Sequence, residues 1–135
     1  MSRRPITAEP VRVLHVDDYD GFASELARFL ERDNRLTVIG RAHDGAEAVE
    51  LARALRPDVV LMDIRMPGMS GLEATERILC GRPTTRVIVL SASDPADWEQ
   101  QARAAGASTF VPKEHAFTHL VPAILAAYTG ESVSA

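Results

Sequence analysis

Lysine is almost absent from this 135-residue chain: its 15 basic residues are 14 arginines and Lys113. Cysteine is equally rare: the lone Cys80 excludes an intrachain disulfide and a thiolate metal cluster, and suits a reducing compartment. Long apolar runs are missing as well. Runs such as Val59 to Met62 and Val87 to Leu90 fall far short of the ~18 residues of a membrane span. Arg3 and Arg4 are followed by no apolar h-region, so a secretory signal is excluded and a cytoplasmic location is expected. With 19 acidic residues and a net charge of −4, an excess of positive charge for a nucleic-acid backbone is lacking too.

What is present is room for one packed domain, with 46% apolar residues. Five short runs rich in Val, Ile or Leu read as strands: Val11 to Val16, Leu36 to Ile39, Val59 to Met62, Val87 to Leu90 and Thr109 to Val111. The segments between them carry helix punctuation. Asp44 with Glu47 and Ser70 with Glu73 have capping-box spacing, and Asp94 before Pro95 reads as an N-cap with proline at the first helical position. Gly81, Gly106 and Gly130 stand where three helices should stop, and Thr118 is a candidate N-cap for the fifth helix. Apolar stripes such as Phe22, Leu26 and Phe29, or Leu120, Ala123, Ile124 and Ala127, need a sheet to cover. The fourth helix has only a thin stripe, Trp98, Ala102 and Ala105, and should be the most weakly anchored.

Strict alternation of strands and helices, with strands apolar on both faces, predicts a doubly wound five-stranded parallel sheet of (βα)₅ type. Ligands of such sheets bind outside the carboxyl ends of the strands. Those ends carry Asp17 and Asp18, Asp63, Ser91 and Lys113. Taken singly, each has an ordinary explanation as a helix cap, a turn residue or a solvated charge. Jointly they place three carboxylates, a hydroxyl and an ammonium at one edge. Two carboxylates at ~4 Å repel by roughly 4 kcal/mol at an effective dielectric of 20, so three imply a cation. Hard oxygen ligands favour Mg²⁺ or Mn²⁺ over Zn²⁺. His15 and His43 read as structural or surface residues outside this cluster. A metal, a central aspartate, a hydroxyl and a lysine suit phosphoryl transfer, with the carboxylate as nucleophile.

The motifs Val16-Asp17-Asp18, Leu61 to Leu72 around Asp63, Leu90-Ser91-Ala92, and Gly106-Ala107 leading to Phe110-Val111-Pro112-Lys113 resemble the receiver domain of two-component response regulators, over about residues 10 to 130. Details such as Gly71-Leu72-Glu73 and Tyr128-Thr129-Gly130-Glu131 look most like NarL/LuxR-type transcription regulators. The resemblance implies a flavodoxin-like fold of strand order 2-1-3-4-5, Asp63 as phosphoacceptor and a sensor histidine kinase as donor. It further implies a metal held by Asp18, Asp63 and the backbone carbonyl of Arg65, with Asp17 acting through water. Ser91 and Phe110 match the family's switch pair. The output surface would be the fourth helix, fifth strand and fifth helix, with a homodimer formed on phosphorylation as one route.

The chain departs from the family pattern in places. Phe110 lacks a phenolic hydroxyl, Lys113 is followed by Glu114 rather than proline, and Glu99 and Arg103 stand on the fourth helix where apolar residues are common. Residues 1–9 and 131–135 read as tails, the second as the start of a linker. The expectation is a receiver cut from a longer DNA-binding regulator, since DNA could be reached only through an output domain not present here. The alternative is a stand-alone or phosphorylation-independent pseudo-receiver acting through protein contacts. An enzyme with external turnover, such as a flavodoxin or an aspartate-dependent phosphatase, is disfavoured. No phosphate-cradling loop follows the first strand, and Arg65, not an acid, stands two residues beyond Asp63.

Overall fold

The structure, a computed structural model, describes residues 9–92 and 94–130. The tails expected at 1–9 and 131–135 lie outside the described residues, Glu9 excepted. Five strands, β1 (Val11–Val16), β2 (Leu36–Ala42), β3 (Val59–Met62), β4 (Arg86–Ser91) and β5 (Thr109–Pro112), form one parallel sheet in the order 2-1-3-4-5. Helices α1 (Asp20–Glu31), α2 (Gly45–Leu55), α3 (Gly71–Gly81), α4 (Glu99–Ala105) and α5 (Ala116–Thr129) alternate with them. This is the doubly wound arrangement expected from the alternation.

Strand periodicity divides the core into two layers. Val11 and Val13 of β1, Leu61 of β3, Leu90 of β4 and Val111 of β5 pack with Leu26, Leu30, Leu120 and Ile124 of α1 and α5. Leu14, Val16, Val60, Met62 and Val87 pack with Ala48, Ala52, Ala74 and Ile78 of α2 and α3. A smaller cluster of Ile64, Val89, Trp98 and Ala102 lies under α4.

The caps at Asp44 and Ser70 are formed, each side chain accepting from the backbone N–H three residues on. Glu47, however, reaches back to the N–H of His43, and Glu73 pairs with Arg77. Several local expectations are corrected. Asp94 and Pro95 start a short 3₁₀ turn, Pro95–Asp97, and α4 begins only after Trp98. The fifth helix starts at Ala116 with His115 as its cap; Thr118 lies within the first turn and donates its hydroxyl to the His115 carbonyl. Gly106 and Gly130 adopt the left-handed cap conformation, whereas α3 ends on Gly81 with Arg82 beyond it. β2 runs three residues past Ile39. A bulge at Ile39 precedes the extension, because Val13 pairs with Val38 but Leu14 with Gly40, and this slip sets Arg41 beside His15.

α4 is two turns long and buries only Ala102, in keeping with its thin stripe. Among the described residues no helix is long and apolar enough to cross a membrane.

Candidate functional site

The same periodicity that sorts the core also aims the site. Asp17, Asp63 and Lys113 continue, past the strand ends, the rows of Val13, Leu61 and Val111, so their side chains converge on the side of α1 and α5. Ser91 continues the opposite row, Val87 and Val89, and enters from the side of α3 and α4.

Asp17 is fully buried and Asp63 nearly so, at 5% exposure. The Lys113 ammonium joins them, 2.8 Å from Asp17 Oδ2 and donating to Asp63 Oδ2 at 3.3 Å. It also lies 4.9 Å from the centre of the Phe22 ring. The other oxygens are held by backbone: Asp17 Oδ1 accepts from the Tyr19 N–H and Asp63 Oδ1 from the Arg65 N–H. Asp18 is exposed at the rim, and one carboxylate oxygen from each of Asp17, Asp18 and Asp63 lies within 4.8 Å of the others. Burial pushes the Asp63 carboxyl up to about 6, against the pull of the Lys113 charge. Burial works to lower the Lys113 ammonium, but its contacts with Asp17 and Asp63 prevail and raise it above the usual lysine value.

The close approach of α3 beneath this edge depends on Gly71. Its N–H donates to the Ile64 carbonyl at 3.1 Å, and a Cβ there would overlap the Asp63 carbonyl oxygen. Gly68, at φ 75°, makes the turn between the strand end and that helix.

Ser91 is buried, and its Cα pairs with Pro112 in β5, next to Lys113. Ser91 and Lys113 both line an open cleft of about 420 Å³ bounded by Asp94, Pro95 and Glu114. Phe110, two residues back along the same pairing, is half-buried against Trp98 in an edge-to-face contact with centroids 5.4 Å apart. The Arg103 guanidinium lies 5.8 Å from the Phe110 ring and is tied to Glu99 at 3.0 Å. The two polar residues noted on the fourth helix thus form a pair on its own surface. No peptide bond among the described residues is cis, including the one after Lys113.

Three further residues belong to this edge that sequence reasoning placed elsewhere or did not single out. His15, read as structural or surface and outside the cluster, is structural but lies beside the acids: it is 2% exposed, its Nε2 is 3.8 Å from Asp17 Oδ2, and burial lowers it to about 4. Its position two residues before Asp17, on the same row of β1 that Asp17 continues, was the available signal. Arg41 donates to the Asp17 carbonyl at 2.8 Å and pairs with Asp20 at 2.8 Å, fastening the loop that bears Asp17 and Asp18 to β2. Phe22 supplies the ring under Lys113. His43 is exposed, bonded to Glu47, and lies 3.8 Å from Asp20.

The donor set fits a hard divalent cation. It offers only carboxylate oxygens, two of them from buried groups, and Lys113, which meets the carboxylates of Asp17 and Asp63, is outnumbered by the three acids.

An edge built of an acidic trio, a bridging lysine and a buried serine on a 2-1-3-4-5 sheet defines a receiver, and the family comparison agrees: residues 13–125 match the response regulator receiver domain, and the chain belongs to that family. Among characterised relatives, it is 39% identical over 127 residues to the probable transcriptional regulatory protein NarL of Mycobacterium tuberculosis H37Rv, covering 94% of this chain and 59% of that protein. It is 40% identical over 121 residues to the transcriptional regulatory protein LiaR of Bacillus subtilis, covering 90% of this chain and 57% of LiaR. The chain thus spans less than two thirds of these relatives. The solved signal receiver domain of the M. tuberculosis NarL superimposes with a TM-score of 0.86 at 38% identity, covering 92% of this chain and all of that one. A LuxR-family response regulator from Aurantimonas superimposes with a TM-score of 0.87 at 32% identity, covering 93% and 89%.

Proposed function

We propose that this receiver, residues 10–130, accepts a phosphoryl group on Asp63 from a sensor histidine kinase and uses it to switch the surface of α4, β5 and α5. The observation that carries the reading is the Lys113 ammonium bridging buried Asp17 and Asp63, with the Asp18 carboxylate beside them. Asp18, Asp63 and the Arg65 carbonyl would hold Mg²⁺ or Mn²⁺, with Asp17 acting through water. When bound, the cation supplies positive charge for the phosphoryl oxygens.

Asp63 is the nucleophile: a carboxylate oxygen forms the new P–O bond while the P–N bond to the kinase histidine breaks, and the imidazole takes up a proton as it leaves. Lys113 and the Ser91 hydroxyl then bind phosphoryl oxygens, the hydroxyl coming from the opposite face of the sheet. A shift of Ser91 opens space behind it for the Phe110 ring, which packs against the Ile64, Val89 and Trp98 cluster and beneath Arg103. The chemistry is self-phosphorylation and its reversal, not turnover of an external substrate.

Because its relatives include proteins described as transcriptional regulators and the chain spans little more than half of them, the output we infer is transcription, through a DNA-binding domain outside this chain. Residues 131–135 then begin the linker, a homodimer forms on phosphorylation, and the setting is cytoplasmic. The test is the intact mass after incubation with Mg²⁺ and acetyl phosphate. One phosphoryl adduct is expected, dependent on metal and absent from Asp63→Asn. No uptake under conditions that label a control receiver would overturn the proposal in favour of a phosphorylation-independent binding module.

A further inference from the structure

At the end of the sheet opposite Asp63, α2 and α3 enclose a pocket of about 240 Å³ whose wall carries four arginines, Arg53, Arg56, Arg77 and Arg82. Its floor is apolar, with Val49 and Ile78. In a chain of net charge −4 this is a local inversion of sign, with four basic residues gathered around one space.

Partners within the fold balance little of this charge: Arg82 Nε donates to the neutral Thr84 hydroxyl at 3.5 Å. Among the described residues, Glu73 is the only carboxylate in an ion pair with any of the four, on Arg77 at 2.8 Å. Nη1 of Arg82 is buried and has no hydrogen-bond partner. Nor is capping of the α2 carboxyl end the explanation. The Arg12 guanidinium, from β1, already donates to the carbonyls of Leu55 and Arg56 at 2.8 and 2.7 Å. Arg56 itself holds a left-handed backbone conformation at φ 52°, the one non-glycine residue to do so among those described.

We infer that this pocket is a binding site for a small phosphorylated compound. Guanidinium forks match the paired oxygens of a phosphate, and several of them favour a multiply charged group over a single carboxylate. The volume corresponds to roughly eight waters, enough for one or two phosphate groups with a small apolar body on the Val49 and Ile78 floor. The site lies across the sheet from Asp63, so a ligand here does not compete for the phosphoacceptor. The inference stands whether or not Asp63 is phosphorylated.

The test is a titration of the whole chain with inorganic pyrophosphate, without divalent cation and at fixed ionic strength, followed by backbone amide NMR. Saturable shifts at Val49 and Ile78 are expected, weakened at least tenfold in Arg82→Gln and in Arg53→Gln. Should Arg82→Gln not fold, Arg53→Gln and Arg77→Gln, both changes at exposed side chains, carry the measurement. Shifts that rise without saturating, that are matched by chloride at equal ionic strength, that gather around Lys113, or that survive the arginine substitutions would overturn the proposal.

Discussion

Lys113 lies closer to Asp17 than to Asp63, at 2.8 Å against 3.3 Å. The ammonium therefore neutralises a fully buried acid in addition to facing the proposed phosphoacceptor, and its removal leaves Asp17 without a cation. Lys113→Met is expected to destabilise the fold by roughly 3 kcal/mol, the low end of the cost of breaking a buried pair because the lysine keeps some solvent contact. Asp17→Asn in the same chain should recover much of that loss. Urea denaturation of the two single variants and the double variant measures the coupling. Two independent, additive losses would contradict the pairing.

Lys113→Arg poses a separate question. A guanidinium is a wide planar fork where the site holds a compact ammonium between two carboxylates and over the Phe22 ring. Metal affinity should change less than the response to phosphorylation, read by metal titration and by the oligomeric state after phosphodonor treatment. A variant that switches normally would show that only the charge matters.

The pH dependence of stability in metal-free buffer should contain two opposing contributions. Asp63, raised to about 6, binds a proton in the native state that the unfolded chain releases near 4, so its contribution falls as pH rises from 4 to 6. His15, lowered to about 4, stays neutral while the unfolded chain takes up a proton near 6.5, so its contribution is lost as pH falls from 6.5 toward 4. Asp63→Asn should leave stability rising with pH across that window, and His15→Leu should leave it falling, by up to about 2 kcal/mol each. Thermal melts from pH 4 to 7 check both slopes; parallel profiles for the two variants would rule the account out.

Gly71→Ala should cost about 1–3 kcal/mol and slow labelling of Asp63. The added methyl would overlap the Asp63 carbonyl and lie 2.8 Å from Ile64 Cα, so the strand end and the helix start must separate. Denaturation and the rate of the acetyl phosphate adduct report the two effects.

Trp98 is the only tryptophan and is 4% exposed against Phe110. If phosphorylation moves the Phe110 ring, the emission of Trp98 must change, and it should not change in Asp63→Asn. An identical spectrum before and after full labelling of the wild type would exclude Phe110 as the moving part.

The alternation of apolar strands with capped helices was enough to read the parallel sheet from the chain, because burial on both faces forces uninterrupted Val, Ile and Leu runs. The residues ending those strands, Asp17, Asp18, Asp63, Ser91 and Lys113, were legible for the same reason: in such a sheet the strand ends converge on one edge. Local signals were weaker at boundaries. Thr118 looked like a cap, but the chain was already helical two residues earlier, and Asp94 with Pro95 opened a 3₁₀ turn rather than α4.

What sequence spacing could not express was distance across the sheet. That Lys113 reaches Asp17 as well as Asp63, that a bulge after Val13 carries Arg41 to the Asp17 carbonyl, and that His15 is buried beside the acids all depend on register between strands distant in the chain. The four arginines of the pocket between α2 and α3 are similarly scattered from residue 53 to 82 and meet only when the helices pack. Composition and periodicity determine which residues face the same edge, because they act through neighbours in sequence. Contact and charge balance at that edge were decided by the tertiary structure, because Coulomb energy and desolvation depend on separations in space.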